Sequence, residues 1–110
     1  MRARLLLALI ASTAASLLLP PPVAAAPQTH VVVIDKMKFG PLPARLRPGD
    51  SIVWINRDIF RHTATAANHS FDVDLPPSAR RKLVIRSSGA IAFACRYHPG
   101  MRGVLRVATR

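Results

Sequence analysis

The segment with the clearest potential for chemistry is a heptapeptide near the end of the chain, C-R-Y-H-P-G-M, residues 95–101. Its thiol (Cys95), imidazole (His98) and thioether (Met101) recur at every third residue. Thiolate and thioether groups are soft ligands, and one cysteine, two histidines and a weakly held methionine form the ligand set of a blue-copper site. The heptapeptide supplies three of these four groups, and His62 is well placed to supply the second imidazole. The sequence therefore predicts a metal site with four protein ligands.

Each of these residues also has an ordinary structural explanation. A buried free cysteine behaves as a small hydrophobic side chain, Met101 could fill the core, and His62 could lie in a basic surface loop. Their joint spacing, in a chain whose only cysteine is Cys95, favours the metal site. Zinc also accepts cysteine and histidine, but structural zinc sites more often use two or more cysteines. Ligand softness therefore favours one copper ion over zinc.

Residues 1–26 have the composition of a secretory signal peptide. Arg2 and Arg4 form the positive start, residues 5–19 form the apolar region, and three alanines at 24–26 form a cleavage motif. We expect cleavage after residue 25 or 26. An uncleaved membrane anchor is the alternative, but the apolar stretch is short for a span and is followed by three prolines.

The remaining residues, 27–110, are enough for one small domain. With one cysteine, this domain cannot form an internal disulfide, and an odd cysteine in a secreted protein needs an explanation such as a metal. Metal binding would also help to stabilise so small a core. We expect a periplasmic domain that does not stay inserted in the membrane after signal cleavage.

The chain is strongly basic. Its formal net charge is +11, and the loss of Arg2 and Arg4 with the signal peptide leaves +9 on the mature chain. Such a charge favours acidic partners and salt-sensitive association. Nucleic acid is the usual partner of a basic domain, but secretion and the small number of aromatic residues argue against it. We expect an acidic redox protein as the partner of a monomeric domain.

Short apolar runs separated by turn residues predict an all-β fold. No window of ten or more residues in the mature chain has helical periodicity. About seven or eight short strands in a chain of this length are typical of a β-sandwich. The predicted strands are residues 30–34, 36–39, 44–47, 51–56, 63–67, 82–86, 90–95 and 103–108. Residues 68–81 have no assignment, and we expect the Asn56 side chain to hold the loop that leads to His62.

From Val31 onward the sequence resembles the cupredoxins, and within that family the amicyanins. The matching segments are V-V-V-I-D-K-M-K-F (31–39), R-P-G-D (47–50), W-I-N-R (54–57), the following His62, and C-R-Y-H-P-G-M-R-G (95–103). The resemblance implies a Greek-key β-sandwich with one type 1 copper centre that alternates between Cu(I) and Cu(II). It also implies His62, Cys95 and His98 as copper ligands, with Met101 as the axial ligand.

Several residues near the expected ligands depart from the amicyanin pattern. Thr63 follows the first ligand where amicyanins often have asparagine, so its hydroxyl would have to replace part of the asparagine's hydrogen bonding. Phe60-Arg61 and Tyr97 stand where proline is usual. The resemblance also implies an apolar surface around His98, in which we place Phe60, Tyr97, Pro99, Gly100 and Pro43. Three arginines adjoin the ligand positions and could select an acidic partner: Arg61, Arg96 and Arg102.

Two functions use the same four residues. The first is an electron carrier that is not itself an enzyme, because four protein ligands leave no open metal position for a substrate. The second is a copper-handling protein that binds, sequesters or delivers the metal. No nucleophile–base pair or pair of carboxylates points to hydrolysis. A carrier of electrons should hold copper in both oxidation states, whereas a carrier of copper should release Cu(I) to a partner.

Overall fold

Eight β-strands and no helix occur in residues 2–22 and 25–109, the part of the chain that the computed structural model describes. The strands are β1 (Thr29–Asp35), β2 (Lys38–Phe39), β3 (Ser51–Asn56), β4 (His62–Ala66), β5 (Asp72–Leu75), β6 (Arg80–Val84), β7 (Gly89–Ala94) and β8 (Arg102–Val107). The predicted all-β fold is confirmed.

The predicted signal segment lies outside this folded part. Residues 2–22 have no regular secondary structure and are exposed. Of the expected cleavage motif, Ala24 lies outside the described residues. No helix long and apolar enough to cross a membrane is present among the residues described.

The strands form two four-stranded sheets. The first has the order β2-β1-β3-β6 and the second β5-β4-β7-β8. Strand β1 runs parallel to β3, whereas the other paired strands are antiparallel. An aromatic cluster joins the two sheets: the Phe93 ring lies 4.9 Å from that of Phe39 and 5.4 Å from that of Trp54, both edge-on. The molecule is therefore a β-sandwich with an aromatic core.

Alternation along the two central strands of the first sheet fixes which side chains enter the core. Val32 and Ile34 of β1, and Ile52 and Trp54 of β3, are completely buried. Successive side chains of a strand point to opposite faces, so the residues between them face outward. The predicted alternation in residues 51–56 is confirmed. Strand β3 ends at buried Asn56, where the chain leaves the sheet towards His62.

The structure corrects three strand predictions. Residues 44–47 form no strand; buried Leu46 makes a single bridge to Val107 instead. Prolines at 43 and 48 remove backbone donors on both sides of it, so a longer ladder cannot form. Strand β6 begins at Arg80, two residues before the predicted start. The strand predicted at residues 36–39 is shorter, because Lys36 lies in the turn before β2. Strand β5 occupies part of residues 68–81, which had no assignment from the sequence.

The turn before β3 is held by a buried carboxylate. Asp50 accepts hydrogen bonds from the backbone N–H groups of Gln28 and Arg47, each at 2.9 Å. The Gln28 hydrogen bond is the largest cause of a lowered pKa at Asp50; the Arg47 bond and nearby His30 act in the same direction, while burial opposes them. This turn therefore depends on the ionised form of Asp50.

Asp50→Asn should destabilise the domain at pH 7 by about 1–3 kcal/mol, because an amide cannot accept both hydrogen bonds as a carboxylate does. A lowered folded-state pKa contributes stability above the unfolded-state pKa, and this contribution is lost as the pH falls through the folded-state value. Urea unfolding at pH 7 and at pH 3 should therefore show a difference between variant and wild type that shrinks in acid. An equal difference at both pH values would show that the charge of Asp50 contributes nothing.

Candidate metal centre

The loop from β3 to His62 is organised by the side chain of Asn56. Its amide nitrogen donates to the carbonyl oxygens of Phe60 at 2.8 Å and Leu75 at 2.9 Å, and its amide oxygen accepts from the backbone N–H of Asp58 at 2.9 Å. The expected role of Asn56 is confirmed by these contacts. Because the side chain is buried, it fixes where the loop returns to the sandwich and where His62 begins β4.

Asp58 holds the outer edge of the His62 ring. Its Oδ2 lies 2.7 Å from His62 Nε2 and accepts the Met37 N–H at 3.0 Å, and its Oδ1 accepts the Lys36 N–H at 2.7 Å. Lys36 and Met37 have φ angles of 51° and 62°, a left-handed turn that directs both N–H groups at the carboxylate. Burial works to raise the pKa of Asp58, but the hydrogen bonds from Met37, His62 and Lys36 together lower it.

The Asp58 contact determines which nitrogen of His62 is available to a metal. An ionised carboxylate only accepts hydrogen bonds, so Nε2 carries the proton and Nδ1 is left with its lone pair. That Nδ1 atom lies 3.7 Å from Cys95 Sγ. The His62 ring is completely buried. The sequence analysis did not single out Asp58, because its backbone partners in the turn after β1 lie more than 20 residues away.

The heptapeptide forms a closed turn at the end of β7. The Cys95 N–H donates to the Met101 carbonyl oxygen at 2.9 Å, and the Met101 N–H donates to the His98 carbonyl oxygen at 2.9 Å. Cys95 and Met101 are buried, whereas His98 is half-buried. The turn therefore directs the thiol and thioether inward and leaves the second imidazole at the surface.

Three of the four predicted ligands converge on one point. His62 Nδ1 and His98 Nδ1 lie 3.7 and 3.6 Å from Cys95 Sγ, and the three atoms all fall within 4.8 Å of one another. Met101 lies at the end of the same turn. One thiolate, two imidazole nitrogens and a nearby thioether are the donors that copper accepts in a type 1 site. The residues present therefore fit one type 1 copper ion.

Comparison with solved structures agrees with this geometry. No protein-family model matches the sequence, and a search of curated sequences finds no match. A reduced Cu(I) form of an amicyanin variant is 27% identical, with a TM-score of 0.63 over 78% of this chain and 86% of that chain. An oxidised amicyanin variant is 25% identical, with a TM-score of 0.64 over 72% of this chain and 81% of that chain. The chain has the cupredoxin fold and resembles amicyanin.

The cupredoxin fold also occurs as part of larger proteins. A copper-containing nitrite reductase from Thermus scotoductus SA-01 is 21% identical, with a TM-score of 0.66 over 84% of this chain but only 25% of that chain. At this identity the likeness shows the fold alone. The covered share shows that a similar sandwich forms one part of that longer chain.

In this chain Thr63 takes over the linking contacts between the two ligand-bearing segments. Its backbone N–H points at Cys95 Sγ from 3.4 Å, and its hydroxyl oxygen accepts the Arg96 N–H at 2.8 Å. The same hydroxyl lies 2.8 Å from that of Thr65, whose proton goes to Asp72 Oδ1 at 2.8 Å. Because Thr65 has only one hydroxyl proton, Thr63 must be the donor between the two threonines.

This arrangement closes a ring of hydrogen bonds. The Arg96 guanidinium donates to the second oxygen of Asp72, so the ring leaves the Arg96 backbone, passes through both hydroxyls and returns to the Arg96 side chain. The Thr65 hydroxyl is the largest cause of a lowered pKa at Asp72, with Arg96 adding to it. Strand β5, which carries Asp72, thereby braces the segment that follows Cys95.

The three arginines next to the ligand positions are held by hydrogen bonds, and two of them form ion pairs. Arg61 donates twice to Asp74, at 2.9 and 2.6 Å, and this pairing raises the pKa of Arg61 and lowers that of Asp74. Arg96 pairs with Asp72, as described above. The Arg102 guanidinium donates to the Pro99 carbonyl oxygen at 3.1 Å. All three therefore hold the loops at this end of the sandwich.

Two further histidines and one further methionine have other positions in the fold. The Nε2 atom of His30 lies 3.7 Å from Oδ2 of Asp50. His69 is exposed in the turn after β4. Neither belongs to the group around Cys95. Met37 packs against the core.

Apolar side chains are exposed close to His98. The Phe60 ring lies 6.3 Å from the His98 ring, edge-on, and Phe60, Tyr97 and Pro99 are exposed. Ile59, which the sequence analysis did not include, is the most exposed of the large apolar residues in the folded domain at 82%. The ligand end of the sandwich thus carries an apolar surface from both loops.

Asp58→Asn should lower the copper affinity of the protein by about 10–100-fold, as is usual when a partner of a ligating histidine is lost. An amide would offer an N–H to Nε2, which favours the wrong tautomer of His62. Competition titration with a coloured chelator measures the affinity, and Asp35→Asn is a control because it removes one exposed charge that does not contact His62. Equal affinities for the two variants would show that the Asp58 contact does not prepare the ligand.

Thr63→Val should destabilise the copper-free domain by about 1–3 kcal/mol, because it leaves the Arg96 N–H without its acceptor while nearly preserving side-chain volume. Thr63→Ser keeps the hydroxyl and should lose less. Urea unfolding followed by the fluorescence of Trp54 gives both values. If Val and Ser variants unfold at the same urea concentration, the hydroxyl ring does not join the two segments.

Proposed function

We propose that this protein is a single-electron carrier that holds one copper ion with His62, Cys95 and His98 as strong ligands and Met101 as a weak axial one. The observation that carries the proposal is the convergence of one thiol sulfur and two imidazole Nδ1 atoms within 4.8 Å at the end of a rigid sandwich. Bound copper supplies a one-electron couple between Cu(I) and Cu(II). Four protein ligands leave no position for a substrate, which supports a carrier over an enzyme.

Different residues of the chain hold each of the ligands in place. Asp58 holds the buried His62 ring through a hydrogen bond. Thr63 directs its N–H at the sulfur of Cys95, and the closed turn fixes the position of Met101. A hydrogen bond to a thiolate stabilises its charge and so tunes the site. His98 alone reaches the surface, where apolar neighbours exclude water, so its ring edge is the natural exit and entry for an electron.

Rigidity favours electron transfer over copper delivery. A protein that hands over its metal must release every ligand, whereas His62 is buried and anchored by a hydrogen-bonded carboxylate. We further propose a periplasmic location after removal of residues 1–26, because their composition matches a secretory signal.

Cu(II) added to the folded domain should produce an intense blue thiolate-to-copper absorption band. Cys95→Ser should abolish the colour, because it removes the sulfur. Met101→Gln is the matched variant: it should keep the copper and lower the reduction potential, since an amide oxygen is a harder ligand that favours Cu(II).

Absorption spectra and voltammetry of the three proteins decide the outcome. A colourless wild type, or colour that survives Cys95→Ser, would refute the type 1 assignment. Complete copper loss in Met101→Gln would refute the weak axial role of Met101. A couple that is irreversible because copper leaves on reduction would favour copper delivery.

A further inference from the structure

The positive charge at the ligand loops is partly paired within the protein. Arg61 and Arg96 each form an ion pair with an aspartate there. Arg102 donates to a neutral backbone carbonyl, so its charge stays uncompensated within the part of the chain that the structure describes. The two ion pairs, together with nearby Asp58, weaken the long-range attraction of that end for an anionic protein.

The first sheet has a different outer face. Inward residues alternate with outward ones, so the pairing register places Val31, Val53 and Lys82 in one outward row. Val33, Ile55 and Arg80 form the next row towards the copper end. We call these two rows the outer face of the first sheet. Its centre is apolar, and its β6 edge carries two exposed cations.

The cations of this face have no counter-charge in the structure. Neither Arg80 nor Lys82 forms an ion pair among the described residues. Four of the five aspartates are engaged elsewhere, at the turn before β3, at His62 and in the two arginine pairs. The fifth, Asp35, lies opposite Lys38 at the other edge of the sheet. The outer face is thus a local source of positive potential.

This face also adjoins the metal centre. Arg80 pairs with Ile55, and the next residue of β3 is Asn56, whose N–H donates to the carbonyl oxygen of Ala79 at 2.9 Å. Asn56 in turn holds the loop that carries His62. A protein bound against the Arg80 row would therefore lie beside the ligand end, and its edge could reach the exposed apolar side chains around His98.

We propose that the outer face of the first sheet is the electrostatic docking surface for an acidic patch on a partner protein. The inference rests on the proposed electron-carrier function. Exposed Val31 beside two exposed cations gives this face the mixed apolar and charged surface of a non-obligate protein interface. A lipid surface fits less well, because Val53 in the centre is only 6% exposed and offers little apolar area for insertion.

The test is an NMR titration of the ¹⁵N-labelled, Cu(I)-loaded domain with a hexaglutamate peptide at low salt. Shifts should concentrate on the amides of residues 53, 55, 80 and 82. Arg80→Gln with Lys82→Gln should weaken peptide binding by about fivefold, the loss expected for two exposed ion pairs. Arg45→Gln with Arg47→Gln removes the same charge from the opposite end and should weaken binding by less than about twofold.

Other results would overturn the proposal. Shifts concentrated on residues 96–102 would place recognition at the copper loop, and equal effects of the two double variants would leave only a general attraction of net charge. Binding to phosphatidylglycerol vesicles, lost in the Arg80/Lys82 variant while the peptide does not bind, would make the face a lipid surface. The blue spectrum of each variant, measured separately, reports on copper binding. Loss of the blue band would count against the electron-carrier proposal and not against the docking surface.

Discussion

The metal centre depends most on the contacts of Thr63 with the segment that begins at Cys95. His62 begins β4 and Cys95 follows β7, 33 residues later. The Thr63 N–H points at the sulfur and its hydroxyl accepts the Arg96 N–H. These contacts extend the pairing of β4 with β7 to the end of the second sheet and so help to fix the separation of His62 from Cys95.

The surrounding residues brace the site in two directions. On the inner side, Asn56 and Asp58 tie the His62 loop to the first sheet and to the turn after β1. On the outer side, Asp72 and Asp74 of β5 hold the arginines that flank both ligand segments. Such bracing lets the metal change charge with little movement of the protein, which is what a one-electron carrier requires. It also pairs Arg61 and Arg96 at the ligand end with aspartates, whereas Arg80 and Lys82 form no ion pair among the described residues.

Local sequence patterns were sufficient for the fold class and for the ligand cluster. β-Branched runs identified the central strands, and the spacing of Cys95, His98 and Met101 identified the turn. Two of the misses involve partners distant in sequence. The Asp58 carboxylate is assigned only when its partners on the neighbouring turn are known. Strand β5 was missed because alternating aspartates are poor strand formers by themselves. Its hydrogen bonds to β4 and its arginine partners, both remote in sequence, stabilise it.

X-ray absorption spectroscopy at the copper edge, on the protein loaded with one equivalent of copper at neutral pH, tests the central claim most directly. The account predicts one short sulfur contact and two imidazole nitrogen contacts, with the same ligand shell in Cu(I) and Cu(II), because the hydrogen bonds of His62, Cys95 and the closed turn restrain these donors. A shell of nitrogen and oxygen alone, or one that loses the sulfur or an imidazole on reduction, would contradict it.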